Sequence, residues 1–430
     1  MISAIARLVI NAQNQGPSRK SGSGSPALRA KGLDVSVSLY YSSRTQEISE
    51  FGKSRSASLR TYVIEQDNIA TIYRGNFTYQ LYKRLGTTGT VSTYQSSTNT
   101  KNLTTLSYDS STDAYTEHFN DGLTITYKKH VVGGTKYEVD RIQNASGVGH
   151  TYTYGSGVEA GLVKSVTVPG GNILTVNYVP GPTVSLVSNI EDWGGRRWTM
   201  QYDVAGSLTT LTTPLGCTTK YVYSTAGAGA GFSMVHAIED PRGYRTTYMY
   251  NALQKVVSMA AGTAVWTYSY SNGKTVEIWP TGAFVTYNID GSGNVSSIQR
   301  PEGYTITYTY DTSRLKTKEE TPAGTMMSVT YNSQFLVTAS DDPLGNRTTM
   351  LYDGFANLTT LIQANGAITT FGYDGTGSTR RRIRMTDPLG RVTSYTYDGD
   401  GQLNAVIDPR GLRTTYSRDT FGTIVTLAQS

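Results

Sequence analysis

The sequence predicts an all-β protein, built as a repeat array of two-stranded units that pair into one long antiparallel sheet. Three observations lead to this prediction. A turn glycine recurs at a near-constant spacing, an alternating stretch follows each glycine, and no amphipathic helical pattern occurs between Lys31 and Ser430. A single unit cannot bury its own apolar face, so the units must stack on one another.

The recurring glycine closes a short turn, and its most frequent spacing is 21 residues. It occurs at Gly147, Gly171, Gly195, Gly216, Gly243, Gly262, Gly282, Gly303, Gly324, Gly345, Gly366, Gly390 and Gly411. Four of these turns read Asp-Pro-x-Gly and begin at Asp240, Asp342, Asp387 and Asp408. This sequence is typical of a type I turn, in which Asp caps the first position, Pro presets φ at the second and Gly ends the turn.

A strand follows each turn, because residues three, five and seven after the glycine are mostly apolar or aromatic and the fourth is nearly always Thr or Ser. The seventh residue is tyrosine in ten units: Tyr154, Tyr178, Tyr202, Tyr223, Tyr250, Tyr310, Tyr331, Tyr352, Tyr373 and Tyr397. In the Gly262 unit Tyr270 comes one residue late, which predicts a β-bulge there. A second turn and a shorter apolar strand complete each unit, with a tyrosine row on one face of the sheet and a Thr/Ser row on the other.

The recurring pattern G-x-x-x-x-Y-x-Y-D-x-x-G-x-L resembles the YD repeat of the Rhs family. That family includes bacterial Rhs proteins, shell subunits of insecticidal toxin complexes and the animal teneurins. The resemblance implies a spiralling sheet that forms a partial shell or cocoon, often around a toxic C-terminal domain. Rhs shells are usually much longer than this chain of 430 residues. Its sequence ends just after a repeat, so we expect an open arc whose toxin domain lies outside this chain.

Three regions are predicted. Residues 1–31 form a flexible basic arm, and residues 32–121 form a β region that resembles the opening of the Rhs core and serves as a cap. Residues 122–430 form the YD-repeat array.

The net charge of +6 is concentrated at the N-terminus, because residues 61–430 hold 29 basic and 29 acidic residues. The array therefore has no electrostatic pattern for binding nucleic acid. Charged residues make up only 16% of the chain, which favours a secreted or cell-surface protein, and the resemblance to Rhs proteins implies a bacterial one. No export signal is evident, and no segment is long enough for a transmembrane helix.

The sequence predicts no cofactor, no metal and no catalytic group. Its four histidines, His118, His130, His150 and His236, lack metal-ligand spacing. The aspartates before proline could in principle stack into a calcium site, but other units carry Arg300 or Trp279 at this position, which favours turn capping. Self-cleavage at an Asp-Pro bond such as Asp408-Pro409 is an enzymatic alternative. We prefer the turn interpretation, because an ordinary repeat strand follows this bond.

The candidate contact residues belong to the tyrosine row and to one basic run. They are Tyr310, Tyr331, Tyr352, Tyr373, Tyr397, Arg380, Arg381, Arg382 and Arg384. The basic run has two interpretations, a rim that binds acidic glycans or lipid headgroups and a solvated edge strand whose charge prevents aggregation; we prefer the second. The tyrosines either stack on sugar rings or pack as the lining of the sheet.

Two functions therefore remain open. The first is a non-catalytic shell that encloses or presents a partner polypeptide, a secreted polymorphic toxin. The alternative is a cell-surface adhesin whose tyrosine and arginine rows bind glycans.

Overall fold

The computed structural model describes residues 8–10, 35–96, 104–119, 123–144, 147–169, 171–224, 234–333, 336–354, 357–374, 381–399, 402–418 and 424–430. Within these ranges the chain forms 39 strands and one short 3-10 helix, Gly157–Glu159. The predicted all-β class is confirmed.

Thirty-four of the strands form one continuous antiparallel sheet, which we call the wall. They are β6 (Tyr62–Gln66), β7 (Ile69–Tyr73), β8 (Tyr79–Thr88), β9 (Val91–Ser96), β10 (Thr104–Asp109), β11 (Ala114–Phe119), β12 (Thr124–Lys128), β13 (Tyr137–Gln143), β14 (Gly149–Tyr154), β15 (Val163–Thr167), β16 (Ile173–Val179), β17 (Leu186–Glu191), β18 (Arg197–Tyr202), β19 (Leu208–Thr212), β20 (Thr218–Ser224), β21 (Met234–Glu239), β22 (Arg245–Tyr250), β23 (Val256–Ala261), β24 (Ala264–Ser271), β25 (Lys274–Ile278), β26 (Phe284–Ile289), β27 (Val295–Gln299), β28 (Thr305–Tyr310), β29 (Lys316–Thr321), β30 (Gly324–Tyr331), β31 (Val337–Asp341), β32 (Arg347–Tyr352), β33 (Leu358–Ile362), β34 (Ile368–Tyr373), β35 (Arg382–Thr386), β36 (Val392–Tyr397), β37 (Leu403–Ile407), β38 (Arg413–Arg418) and β39 (Ile424–Gln429). Strands that follow one another in sequence pair with each other, so short turns are sufficient to connect them.

The first eight strands of the wall close into a ring. β6 pairs with β13, with Tyr62 opposite Glu138 and Val63 opposite Tyr137. The later part of β13 pairs instead with β14, beginning at Arg141. Because these two strands divide β13 between them, the sheet winds past its own beginning, and the predicted spiral is confirmed.

The predicted turn chemistry is confirmed at each anchor glycine, since all thirteen have a positive φ between 60° and 124°. In the turn that begins at Asp408, Oδ1 accepts the backbone N–H groups of Arg410 at 2.8 Å and Leu412 at 2.9 Å. The turns at Asp240, Asp342 and Asp387 repeat this pair of hydrogen bonds. These aspartates are therefore turn caps, as predicted.

A β-bulge precedes the seventh position in twelve units of the array, but it is missing in the Gly262 unit. The prediction of a bulge at Tyr270 is therefore wrong. In that unit β24 and β25 pair without a register shift as far as Ser271 opposite Lys274. The intervening turn is only two residues long, and such a tight hairpin keeps its two strands in register.

Residues 35–60, which we call the N-terminal segment, pack against the tyrosine-bearing face of the wall. This segment contains β2 (Val37–Tyr41), β3 (Ile48–Ser49), β4 (Gly52–Lys53) and β5 (Arg55–Ala57), and β1 (Leu8–Ile10) pairs with β2. It bonds to four successive repeats, through Val187 N–H to Glu50 O at 2.7 Å, Lys53 N–H to Gly206 O at 2.8 Å, Val235 N–H to the Tyr41 hydroxyl at 2.9 Å and the Ser43 hydroxyl to Gln254 O at 2.7 Å.

One apolar core joins the N-terminal segment to the ring and to the first repeats. Val37, Leu39 and Ala57 of the segment are buried in the same cluster as Tyr152 and Tyr221 of the wall. The tyrosine-bearing face is thus the inner face, a point that the alternating sequence pattern cannot decide.

Candidate interaction surface

The tyrosine column forms a ladder of hydrogen bonds between successive repeats. Each of the ten hydroxyls donates to a backbone carbonyl oxygen fifteen residues earlier, at 2.6–3.1 Å. The acceptors are Val139, Val163, Val187, Leu208, Val235, Val295, Lys316, Val337, Leu358 and Arg382. Arg418 takes the place of tyrosine in its unit and donates from Nη1 to Leu403 O at 2.5 Å.

The position of the accepting carbonyl explains why a tyrosine is needed. The ladder between β15 and β16 covers three residue pairs, from Ser165 opposite Thr175 to Thr167 opposite Ile173. The carbonyl of Val163 lies beyond the end of that ladder. A tyrosine hydroxyl is long enough to reach it, and a carbonyl left unpaired in a half-buried place would be unfavourable.

The candidate tyrosines of the later repeats are half-buried. They are Tyr310, Tyr331, Tyr352, Tyr373 and Tyr397, and burial raises the pKa of each phenol. Because their hydroxyls are already bonded to the backbone, any partner would meet their rings.

The basic run is divided between the two faces of the wall. The Arg381 guanidinium pairs with Asp374 at 2.7 Å and lies over the ring of Tyr397, 5.1 Å from its centroid. Arg382 also lies on the tyrosine face, 4.8 Å from the centroid of the Tyr395 ring. Arg382 lies opposite Tyr373, whereas Arg384 lies opposite Gly372, the next residue along β34. The β-bulge between these two pairs therefore places Arg384 on the opposite face. Arg380 lies outside the described residues.

The prediction that this basic run is an edge strand is wrong. β35, which carries Arg382 and Arg384, is paired with β34 on one side and β36 on the other. Its arginines therefore do not protect an exposed sheet edge. The stacking of Arg382 on aromatic rings instead makes it part of a mixed aromatic and cationic surface.

The inner face changes character along the wall. In the early repeats, which the N-terminal segment covers, inward residues such as Leu174 and Trp198 are buried. From β26 onward most inward residues are only half-buried, and Ile424 and Leu427 on β39 are 49% and 62% exposed. The described part of the chain thus provides no cover for the inner face of the later repeats.

Sequence reasoning did not identify the contact that fixes the N-terminal segment to the wall. Arg55 is 2% exposed, and its guanidinium lies 4.2 Å from the ring centroid of Tyr221. Its Nη2 donates to the Tyr223 hydroxyl at 3.2 Å. No repeat pattern marks Arg55, because it lies in the less regular stretch before the array. Its positive charge among small residues gives little signal, because Lys53 lies only two residues away.

The fold and the tyrosine ladder define a β-repeat wall of the shell type. The family model described as RHS Repeat matches residues 381–412. This match agrees with the resemblance to the YD repeat of the Rhs family that the sequence predicted. No curated protein matches it.

Solved structures of toxin-complex proteins share the fold. The chain is similar to the Tc holotoxin pore of Photorhabdus luminescens carrying a TccC3 mutation, with 11% identity and a TM-score of 0.51, over 92% of this chain and 24% of that chain. It is also similar to TcdB2-TccC3, with 10% identity and a TM-score of 0.50, over 92% of this chain and 25% of that chain. TcdB2-TccC3 without its hypervariable C-terminal region gives the same values. This chain thus spans about a quarter of the length of these solved chains.

Among the described residues, no helix has the length and apolar character needed to cross a membrane.

Proposed function

We propose that the chain is a non-catalytic shell wall whose inner face encloses or presents a partner polypeptide, a secreted polymorphic toxin. The observation that supports this proposal most strongly is the change along the inner face. The N-terminal segment covers the early repeats, whereas the rings of Phe371 and Tyr395 in later repeats remain partly open. An open aromatic face of this kind can hold an extended chain through contacts with many side chains.

The proposal assigns a separate role to each of three regions of the chain. Residues 32–121 act as a cap, residues 122–430 act as the YD-repeat array, and residues 1–31 act as a basic arm. The pairing of β6 with β13 supports a cap, because it gives the first strand of the wall a partner that would otherwise be missing. The protein functions outside the bacterial cell, as expected for a relative of toxin-complex shells.

A protease-protection experiment tests the proposal. An unfolded reporter polypeptide is joined after Ser430, and its cleavage rate is compared with that of the free reporter. The enclosed reporter should be cleaved more slowly. Tyr395→Asp, on the inner face, should abolish this protection, whereas Ser394→Asp, on the opposite face, should keep it. Equal cleavage of the joined and free reporters would refute an enclosing role.

Glycan binding is the second candidate function, and it concerns the same residues. The stacked pair of Arg382 and Tyr395 offers an aromatic ring beside a cation, a combination that suits acidic sugars. A glycan array should then show binding that Tyr395→Ala removes. An array without signal above background would leave the shell function alone.

A further inference from the structure

A cavity of about 380 Å³ lies at the seam where the ring closes. Tyr62 and Glu138, which pair across β6 and β13, both line it. The N-terminal segment contributes Glu50, and the turn before β15 contributes Gly161. The volume falls in the range of small-ligand pockets, roughly 300–1,000 Å³. Three separate parts of the chain therefore meet around one cavity.

Glu138 is a buried carboxylate that lines this cavity. Its side chain is buried, with 8% of the residue exposed. Oε2 accepts the backbone N–H of His130 across a long 3.4 Å, and a Cβ added at Gly161 would lie 3.4 Å from Oε1. Among the described residues, no ion pair includes Glu138. Burying a carboxylate without a cation is costly, so this group would be stabilised by a positive ligand.

The cations around the cavity are engaged elsewhere and do not form an ion pair with Glu138. Glu50 lies 3.6 Å from Arg60, but Arg60 also pairs with Glu47 at 2.6 Å. Lys136 lines the cavity as well, with its Nζ 4.6 Å from the ring centroid of Tyr62. The lining thus holds two carboxylates, Glu50 and Glu138, and two cations, Arg60 and Lys136, but within the described residues neither cation forms an ion pair with Glu138. Burial raises the pKa of Glu50 and of Glu138, consistent with carboxyl groups that lack full compensation.

We propose that this cavity binds an organic cation, a primary ammonium or guanidinium group carried on an alkyl chain. Glu138 supplies the counter-charge from the cavity lining, and Glu50 supplies a second carboxylate. The rings of Tyr62 and Tyr154 line the same space, and the Lys136 ammonium over the Tyr62 ring shows that this lining accommodates an alkylammonium group. A metal ion suits the site less well, because the described residues contain no group of three acidic, histidine or cysteine side chains that could hold one.

A cation bound here would connect the N-terminal segment, the ring and the first repeat at the seam. β6 and β13 share only two residue pairs, so the seam has few hydrogen bonds of its own. Binding should therefore stabilise the folded chain by linkage. This site does not depend on the proposed shell function, because it lies beside the closed ring and away from the open repeats.

The test uses n-butylguanidinium as the probe and the uncharged n-butylurea as its matched control, both titrated calorimetrically into the full chain. One equivalent of n-butylguanidinium should bind, and n-butylurea should not. Glu138→Gln and Glu50→Gln should each weaken binding by roughly tenfold or more, the scale of a lost charge-assisted hydrogen bond. The control is Glu191→Gln, whose side chain pairs with Arg197 at 2.8 Å elsewhere on the wall, and this variant should bind normally.

Two further titrations identify the natural source of the cation. Spermidine represents a free polyamine, and acetyl-Gly-Arg-Gly-amide represents a basic side chain of a polypeptide. Binding of either compound that Glu138→Gln weakens would support the site and assign its source. Binding of n-butylurea as tight as that of n-butylguanidinium, or unchanged binding in both glutamine variants, would overturn the proposal.

Discussion

The hydroxyl of Tyr397 donates a hydrogen bond of 2.7 Å to the backbone carbonyl oxygen of Arg382, fifteen residues earlier in the chain. The same bond links the other tyrosines of the column to the preceding repeat. It joins strands at a point where their backbone ladder has already ended, so the tyrosine column acts as a connection between repeats.

Removing this hydroxyl should weaken the array locally. Tyr397→Phe should lower the free energy of unfolding by roughly 0.5–1.5 kcal/mol, the net value of one hydrogen bond. Tyr395 is the matched control. It lies two residues earlier on the same face and is also half-buried, but its hydroxyl makes no hydrogen bond within the described part of the chain. Tyr395→Phe should therefore cost less than about 0.5 kcal/mol.

Urea unfolding, together with amide hydrogen exchange in β35 and β36, measures this difference. Exchange is needed because a repeat array can open in parts, each part contacting only its neighbours. Equal effects of the two substitutions would contradict a specific role for the hydroxyl of Tyr397.

The period of 21 residues was enough to predict the strands, the turns and the two faces of the wall, because each repeat contains its own turn chemistry. The aspartate caps and the positive φ of the anchor glycines follow directly from local sequence. The bulge at Tyr270 was wrongly predicted, because a two-residue turn keeps that unit in register. Local sequence alone could not show that all twelve remaining units would carry the bulge.

Contacts between distant parts of the chain were not predictable. Arg55 contacts Tyr223, which is 168 residues away in sequence, and the pattern of a repeat unit does not predict this contact. The seam between Tyr62 and Glu138 has the same origin, since it depends on how far the sheet curls before it meets its own first strand. The candidate contact residues Arg382 and Arg384 lie two positions apart, so simple alternation would place them on one face, yet the β-bulge opposite Gly372 and Tyr373 places them on opposite faces.

Among the glycines of the array, alanine should be tolerated only where φ is not positive. Gly345 has a φ of 80°, and a Cβ added there would meet nothing within 4 Å, so the cost of Gly345→Ala is backbone strain alone. We expect a loss of roughly 1–2 kcal/mol in the free energy of unfolding. Gly354 is equally open but has no positive φ, and Gly354→Ala should be neutral or should stabilise by up to about 1 kcal/mol.

Thermal and urea unfolding of the two alanine variants checks this expectation. A loss of similar size at both positions would show that the strain interpretation is wrong.

The buried guanidinium of Arg55 should respond differently to its two closest replacements. Arg55→Lys keeps a buried positive charge but loses the planar contact with Tyr221 and the hydrogen bond to Tyr223, and no described carboxylate lies within ion-pair distance. Arg55→Met removes the charge and keeps an apolar side chain of similar length. Arg55→Lys should therefore be the more destabilising variant, by at least about 1 kcal/mol.

Urea unfolding at pH 7 ranks the two variants of Arg55. The control is Lys220→Met, which removes a cation from an exposed ion pair with Glu239 on the same strand pair and should cost less than about 1 kcal/mol. If Arg55→Met were the less stable of the two, the aromatic contact would depend on the charge itself.

The pH dependence of Glu138→Gln provides a test that needs no ligand. Burial raises the pKa of the Glu138 carboxyl in the folded chain above its unfolded value, which is about 4.3. The folded state therefore loses stability as pH rises through the unfolded pKa toward the folded one, because the unfolded chain releases this proton first. Glutamine has no proton to release, so Glu138→Gln should be more stable than the natural chain at pH 7, and the two should converge below about pH 4.

Urea unfolding from pH 3.5 to 8 measures the difference, and Glu191→Gln, at an ion pair on the wall, should show no such gain at pH 7. Adding n-butylguanidinium at pH 7 should narrow the gap, because it binds only the natural chain tightly. A variant that is less stable than the natural chain at pH 7 would mean that Glu138 already has a cation of its own.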